Sequence, residues 1–169
     1  MIPASVNEHF RKYRSRSWAG CYLFALVDGI QYEQHTGRQL ESLDDAAVSL
    51  FAGTREIALA YAGPWLVDPR KASDRIADLG ELELARAGVI WLITSEKLER
   101  QAAKLRPYLD IALPNKKSAL LRFWDPRVIH GLNEAYRSKE KRALFKTATE
   151  WQYLYEEQRF TINDHDQPH

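Results

Sequence analysis

The sequence predicts an α/β (α+β) domain in which helices pack on a single mixed β-sheet. Three observations predict it. Residues 21–27, 64–67 and 89–94 are short runs rich in aromatic and branched side chains, the composition of strands. Between and after them lie stretches with apolar residues at helical spacing, such as Leu98, Ala102, Leu105 and Leu109. Some strand pairs are joined by turns too short for a parallel crossover, as at Pro114-Asn115-Lys116-Lys117, so a regular βαβ repeat is excluded.

At 169 residues the chain has the length of one domain and can bury one sizeable core. The expected division is an N-terminal helical segment at 1–20, the domain proper at 21–162, and a polar, disordered tail at 163–169. Ser5 to Glu8 reads as a capping box, and Val6, Phe10 and Tyr13 share one helical stripe. The strand at 21–27 ends at the turn signal Asp28-Gly29, and 30–43 reads as loop around Gly37. Alanine and leucine dominate 44–62, which predicts two short helices broken at Gly53-Thr54. A brief strand at 64–67 stops at Asp68-Pro69. Ser73 is the expected cap of a helix carrying Ile76, Leu79 and Leu82, closed by Gly88. After the strand at 89–94, Ser95 and Glu96 open a helix whose end Pro107 should kink or shorten.

The stretch 118–129 organises the C-terminal part of the chain. Ala119 to Trp124 is an apolar run expected to form a strand buried on both faces, interrupted by Arg122. Asp125 suits a helix N-cap and Pro126 the first helical position, with Val128, Ile129, Leu132 and Tyr136 on one face beyond. Residues 111–113 and 119–124 should pair as a hairpin. Residues 138–146 read as a further helical piece. Thr147, Thr149, Trp151, Tyr153 and Tyr155 then alternate with their neighbours at strand period, and 160–162 is the expected hairpin partner across 156–159.

Leu121-Arg122-Phe123-Trp124-Asp125-Pro126-Arg127-Val128-Ile129 resembles the L-R-F-Y/W-D-P-R-V-L signature of the bacterial family named domain of unknown function 4123 (DUF4123). Residues 22–29 resemble its opening strand, and Gly63-Pro64-Trp65-Leu66-Val67 its A/G-P-W/Y-L-V element. The resemblance covers 22–151. It implies an adaptor chaperone that binds a type VI secretion effector in the producing cell and assists its loading onto the secretion spike. Its partners would be the effector and the spike protein, with no cofactor.

The residues themselves carry few catalytic signals. No Gly-x-Ser-x-Gly, phosphate loop, Gly-x-Gly-x-x-Gly or His-Glu-x-x-His occurs, and the expectation is a protein that is not an enzyme. Lys+Arg 24 against Asp+Glu 23 leaves a net charge of +1, which gives no global field for nucleic acid or an anionic membrane. The basic run Arg137 to Arg142 reads as a solvated helix face. His165 with Asp164, Asp166 and His169 is the only local histidine group; four protein ligands are not evident, so no metal site is expected. Asp44-Asp45 and Glu81/Glu83 read as helix-start or helix-face acids rather than catalytic pairs. Cys21, the single cysteine, reads as a buried structural thiol and fits a reducing compartment. No apolar leader with a cleavage site and no run of about 20 apolar residues is present, so a cytoplasmic protein is expected.

Two groups are the candidate functional residues. Arg122, Asp125 and Arg127 concentrate charge at the strand-to-helix junction. An arginine in an apolar strand needs a partner, because an unpaired buried charge costs several kcal/mol, roughly; Asp125 is the expected one. The group is either a structural network or a partner-binding site, and in the competing enzyme or ligand-binding reading it would grip an anion. Trp151, Tyr153 and Tyr155 form the second group, either an exposed aromatic surface for a protein partner or a core face.

Overall fold

The computed structural model describes residues 1–135 and 142–163. Among the described residues eight strands and five α-helices follow one another: α1 (Ala4–Arg16), β1 (Tyr22–Asp28), α2 (Gly29–Thr36), β2 (Ala47–Ser49), β3 (Pro64–Val67), α3 (Leu79–Ala85), β4 (Val89–Thr94), α4 (Leu98–Leu105), β5 (Asp110–Ala112), β6 (Ser118–Leu120), α5 (Pro126–Ala135), β7 (Glu150–Tyr155) and β8 (Gln158–Ile162). Six strands form one sheet in the order β2-β3-β1-β4-β7-β8, every pairing antiparallel. β5 and β6 pair with each other and, among the described residues, with no other strand, forming a separate two-stranded ribbon.

Helices cover both faces of the sheet, which is why β1 and β4 are near-continuous apolar runs instead of alternating ones. On one face Val6 and Phe10 of α1, Tyr32 of α2, and Leu79 and Leu82 of α3 pack with Leu23, Ala25, Val27, Val89 and Trp91. On the other, Leu98, Ala102 and Leu105 of α4 and Ile129 of α5 join Phe123, Trp124 and Phe145 over Phe24, Leu26, Ile90, Leu92, Trp151 and Tyr153. Through Val6 and Phe10 the segment 1–20 is tied into the same core as the rest. This is the expected architecture of helices packed on a sheet.

Aspartates set several of the corners. Asp28 Oδ1 accepts from the N–H of Ile30 and Gln31, Asp68 Oδ1 from Arg70 and Lys71, and Asp78 Oδ1 from Gly80 and Glu81. Asp125 accepts from the N–H of Arg127 in the same way, with Pro126 next to it as the first helical residue.

Several sequence expectations are corrected. Residues 30–43 are not loop throughout: Asp28 caps α2, and Gly37 ends it in the left-handed region at φ 74°. Asp-Gly signals a turn in sequence, yet its aspartate supplies the same capping chemistry that starts a helix. The two helices expected in 44–62 are replaced by β2, which pairs with β3, and a 3-10 helix at Ile57–Ala62. Buried strand pairing outweighs the helix propensity of alanine and leucine there. The helix expected from Ser73 begins at Leu79 with Asp78 as its cap, and α4 begins after Lys97 rather than at Ser95. α1 follows Pro3 and has no side-chain cap, so Ser5 does not form the capping box. In the hairpin of β7 and β8 the turn is only Glu156 and Glu157, both at positive φ, a two-residue connection lacking the usual Asn-Gly signal.

The largest correction concerns 119–124. β6 stops at Leu120 and its residues are exposed or half-buried. Phe123 N–H then donates to Leu121 O and Asp125 N–H to Arg122 O, so the chain turns instead of extending, and Phe123 and Trp124 drop into the core from a bend. An apolar run of six can be buried as a turn as well as a strand, and periodicity cannot separate the two.

Candidate functional site

Two strand-to-helix corners meet at one end of the sheet. The first is Asp28-Gly29, where β1 becomes α2. Gly29 N–H donates to Gly63 O at 2.8 Å, and a Cβ on Gly29 would lie 2.1 Å from Tyr61 O, so only glycine lets these backbones approach. The second corner is Asp125-Pro126, where the bend after β6 becomes α5. Trp124 links them: its ring meets Phe51 edge-on at 5.9 Å, and Phe51 lies against Gly63.

Four charged side chains converge there. Arg127 grips Asp125 with both arms of its fork, Nε to Oδ1 at 3.0 Å and Nη2 to Oδ2 at 2.8 Å. The bond and charge of Asp125 hold the Arg127 guanidinium above its ordinary pKa. Arg122 does not pair with Asp125. Its Nη2 donates to Asp28 Oδ2 at 3.3 Å, and its guanidinium lies 5.9 Å from the Trp124 ring centroid. The expected Arg122–Asp125 pair is thereby corrected: the bend points Arg122 back across the sheet end to a residue 94 positions away. Nor is Arg122 a buried charge, since its side chain is 49% exposed while Asp28 is 1% exposed.

Burial pushes the Asp28 carboxyl above the ordinary carboxylate range; the N–H of Gln31, the Arg122 charge and the N–H of Ile30 pull the other way, and the neighbouring Asp125 charge adds to the rise. The cluster is thus two carboxylates and two guanidiniums in mutual balance. Sequence reasoning missed Asp28. The signal was present, because Asp28-Gly29 closes an apolar strand as Asp125-Pro126 closes the run 119–124.

The second candidate group lies elsewhere. Trp151 and Tyr153 are fully buried and Tyr155 half-buried, so of the two readings of this group, exposed aromatic surface or core face, the structure shows the core face. Trp151 Nε1 donates to Phe145 O at 2.9 Å. Tyr153 hydroxyl lies 3.0 Å from His130 Nδ1, and the His130 ring stacks on Tyr155 at 4.0 Å. Burial, with Glu134 adding and a hydrogen bond to Asn133 opposing, pushes the Tyr153 phenol up to about 12. The alternate, polar positions of β7 are buried too. Glu150 meets His9 Nδ1 at 2.9 Å and accepts from Tyr13 at 3.3 Å and from Gln152 at 2.8 Å, and this network seats α1 on the sheet.

The remaining candidates are structural or outside the described residues. Glu83 is buried, accepts both arms of Arg159 at 2.6 and 2.8 Å, and accepts from Trp91 Nε1 at 2.9 Å. Asp44 and Asp45 lie in the turn before β2. Cys21 is half-buried rather than fully so, and burial raises its thiol pKa against the pull of Arg14 and Arg70. Of the basic run only Arg142 is described; it donates to Asn133 Oδ1 at 2.9 Å and lies over Phe145. Tyr136, the rest of that run, and the Asp164, His165, Asp166 and His169 group lie outside the described residues. Among the described residues no three His, Cys, Asp or Glu side chains form a metal-binding group, and no helix is long and apolar enough to cross a membrane.

The family model for the domain of unknown function DUF4123 matches residues 23–143, from β1 through both corners and α5. The chain belongs to the DUF4123 family. No curated protein and no solved structure matches it. Within the family match lie all four members of the charged cluster and the β5–β6 ribbon; β7 and β8 lie outside it.

Proposed function

We propose that this DUF4123 protein is an adaptor chaperone, which binds a type VI secretion effector in the cytoplasm of the producing cell and helps load it onto the secretion spike. The observation that carries the reading is the family match over 23–143, with the stretch Leu121 to Ile129 inside it. A binding role asks for accessible apolar surface. The chain offers it at Ile57, Leu59 and Tyr61 in the 3-10 helix and at Ile111, Leu113 and Leu120 in the ribbon, all 38–54% exposed.

The competing reading, an enzyme or binding domain that grips an anion through Arg122, Asp125 and Arg127, loses ground on geometry. Arg127 already gives both arms to Asp125, and Arg122 faces Asp28. An anion would have to compete with two carboxylates already in place.

Deletion of the gene, with measurement of effector export and of co-purification with the toxin encoded beside a spike gene, tests the proposal. The expected result is loss of one effector's export, restored by the gene in trans, and a stable complex of the two purified proteins. Unchanged export of every effector would overturn it. Turnover in a hydrolase or nucleotide-hydrolysis screen that vanishes in Arg122→Ala would put the competing reading in its place.

A further inference from the structure

Tyr32 of α2 is buried, and two chain segments are tied to its polar atoms. Thr36 Oγ1 donates to Tyr32 O at 2.8 Å and accepts from Arg38 N–H at 3.1 Å, which fixes the chain just beyond Gly37. Ala77 N–H donates to the Tyr32 hydroxyl at 3.0 Å, while the N–H groups of Arg75 and Ile76 both donate to Ala72 O. The turn before α3 is thereby held to the same side chain. A polar cleft of about 390 Å³ is lined from both segments, by Tyr32, Arg38, Gln39, Glu41 and Arg75.

Several arginines of the chain have acceptors built in. Arg86 donates to Gln31 and Gln34, Arg106 to Ser49 O and Leu50 O, and Arg122, Arg127 and Arg159 pair with carboxylates. The guanidiniums of Arg38 and Arg75 are exposed and have neither an acceptor nor an ion-pair partner among the described residues, yet they line one cleft. The Tyr32 hydroxyl accepts from Ala77 and, among the described residues, gives its own hydrogen to no acceptor. Three donor side chains, two of them cationic, therefore face one space. Glu41 lines it too and pairs with neither arginine, which leaves one positive charge in excess. That excess sets the charge of the ligand. A carboxylate carries one negative charge and offers two oxygens in the plane of a guanidinium fork. Phosphate carries more than one at neutral pH and would be repelled by Glu41.

We propose that the cleft between Arg38 and Arg75 is a carboxylate-binding site. The two guanidiniums grip the oxygens, the Tyr32 hydroxyl donates to one of them, and Glu41 turns away anions of higher charge. The carboxylate is that of a small molecule or of an acidic side chain on a partner protein. The site itself does not depend on the adaptor reading.

The test titrates the full chain with sodium acetate, sodium phosphate and sodium chloride at one ionic strength and neutral pH, following the Cζ resonances of Arg38 and Arg75. Both should move and saturate with acetate and stay in place with chloride, and phosphate should bind several-fold more weakly. Arg38→Gln or Arg75→Gln should weaken acetate binding about tenfold, the loss of one charge-assisted pair. Neither should change the melting temperature, because both side chains are in solvent. Glu41→Gln should bring phosphate up to acetate. Equal movement with chloride, movement that never saturates, acetate bound by either arginine variant as tightly as by the parent, or phosphate preferred by the parent would overturn the proposal. Cargo capture separates the two sources: the Arg38→Gln, Arg75→Gln double variant loses capture if the carboxylate is a partner's and keeps it if a small molecule is the ligand. A parent that binds acetate but captures no cargo would remove the adaptor reading and leave this site standing.

Discussion

β7 and the β5–β6 ribbon are two regions whose apolar side chains could meet a partner, and they have opposite fates. β7 holds the larger and more aromatic set, Trp151, Tyr153 and Tyr155, yet it lies between β4 and β8 with α5 and Phe145 over it. The ribbon holds only Ile111, Leu113 and Leu120 as large apolar residues, yet it stands outside the six-stranded sheet with no third strand beside it among the described residues. Aromatic content marks a side chain that gains much from burial. Whether the burial is against the chain's own core or against a partner depends on which strands lie next to it.

The sharpest break between the regions is expected from truncation. Trp151→Ala should cost about 3–5 kcal/mol of folding stability, because it opens a cavity in the core and leaves Phe145 O without its donor. Leu113→Ser should stay within about 0.5 kcal/mol, as an exposed substitution. Chemical denaturation of both variants checks the pair, and similar losses would show that the ribbon packs as core.

Ion pairs repeat the contrast. Arg159→Ala leaves Glu83 buried with only Trp91 to answer its charge, and should cost about 3–5 kcal/mol in denaturant melts. The expected cost of Arg122→Ala is smaller, about 1 kcal/mol, since the arginine is half in water and Asp28 keeps two backbone donors. Equal losses would mean that exposure does not govern the difference.

A smaller effect comes from the raised pKa of Asp28. In the pH interval above the ordinary aspartate value the folded protein holds this proton more tightly than the unfolded chain. The contribution of Asp28 to stability is therefore full at low pH and declines as pH rises through that interval. Asp28→Asn retains a capping side chain and cannot ionise. Its melting temperature relative to the parent should rise between acid and neutral pH; a constant difference would show that the carboxyl is not displaced by burial.

The strands at 22–28, 64–67 and 89–94, the ribbon turn, the Asp125-Pro126 helix start and the family were legible in the chain, since each rests on local composition or on a contiguous motif. Asp28-Gly29 was legible in chemistry but not in outcome, because the same dipeptide serves turns and caps. The partner of Arg122 was not legible at all. A residue 94 positions away becomes its neighbour only when β1 and the bend after β6 reach the same end of the sheet. The same holds for Trp151 and Tyr153: alternation placed them correctly on one face of a strand, but it carries no information on what covers that face. Local order is set by steric and hydrogen-bonding preferences of adjacent residues. Exposure and charge pairing are set by long-range contacts, and those exist only once the layers have closed.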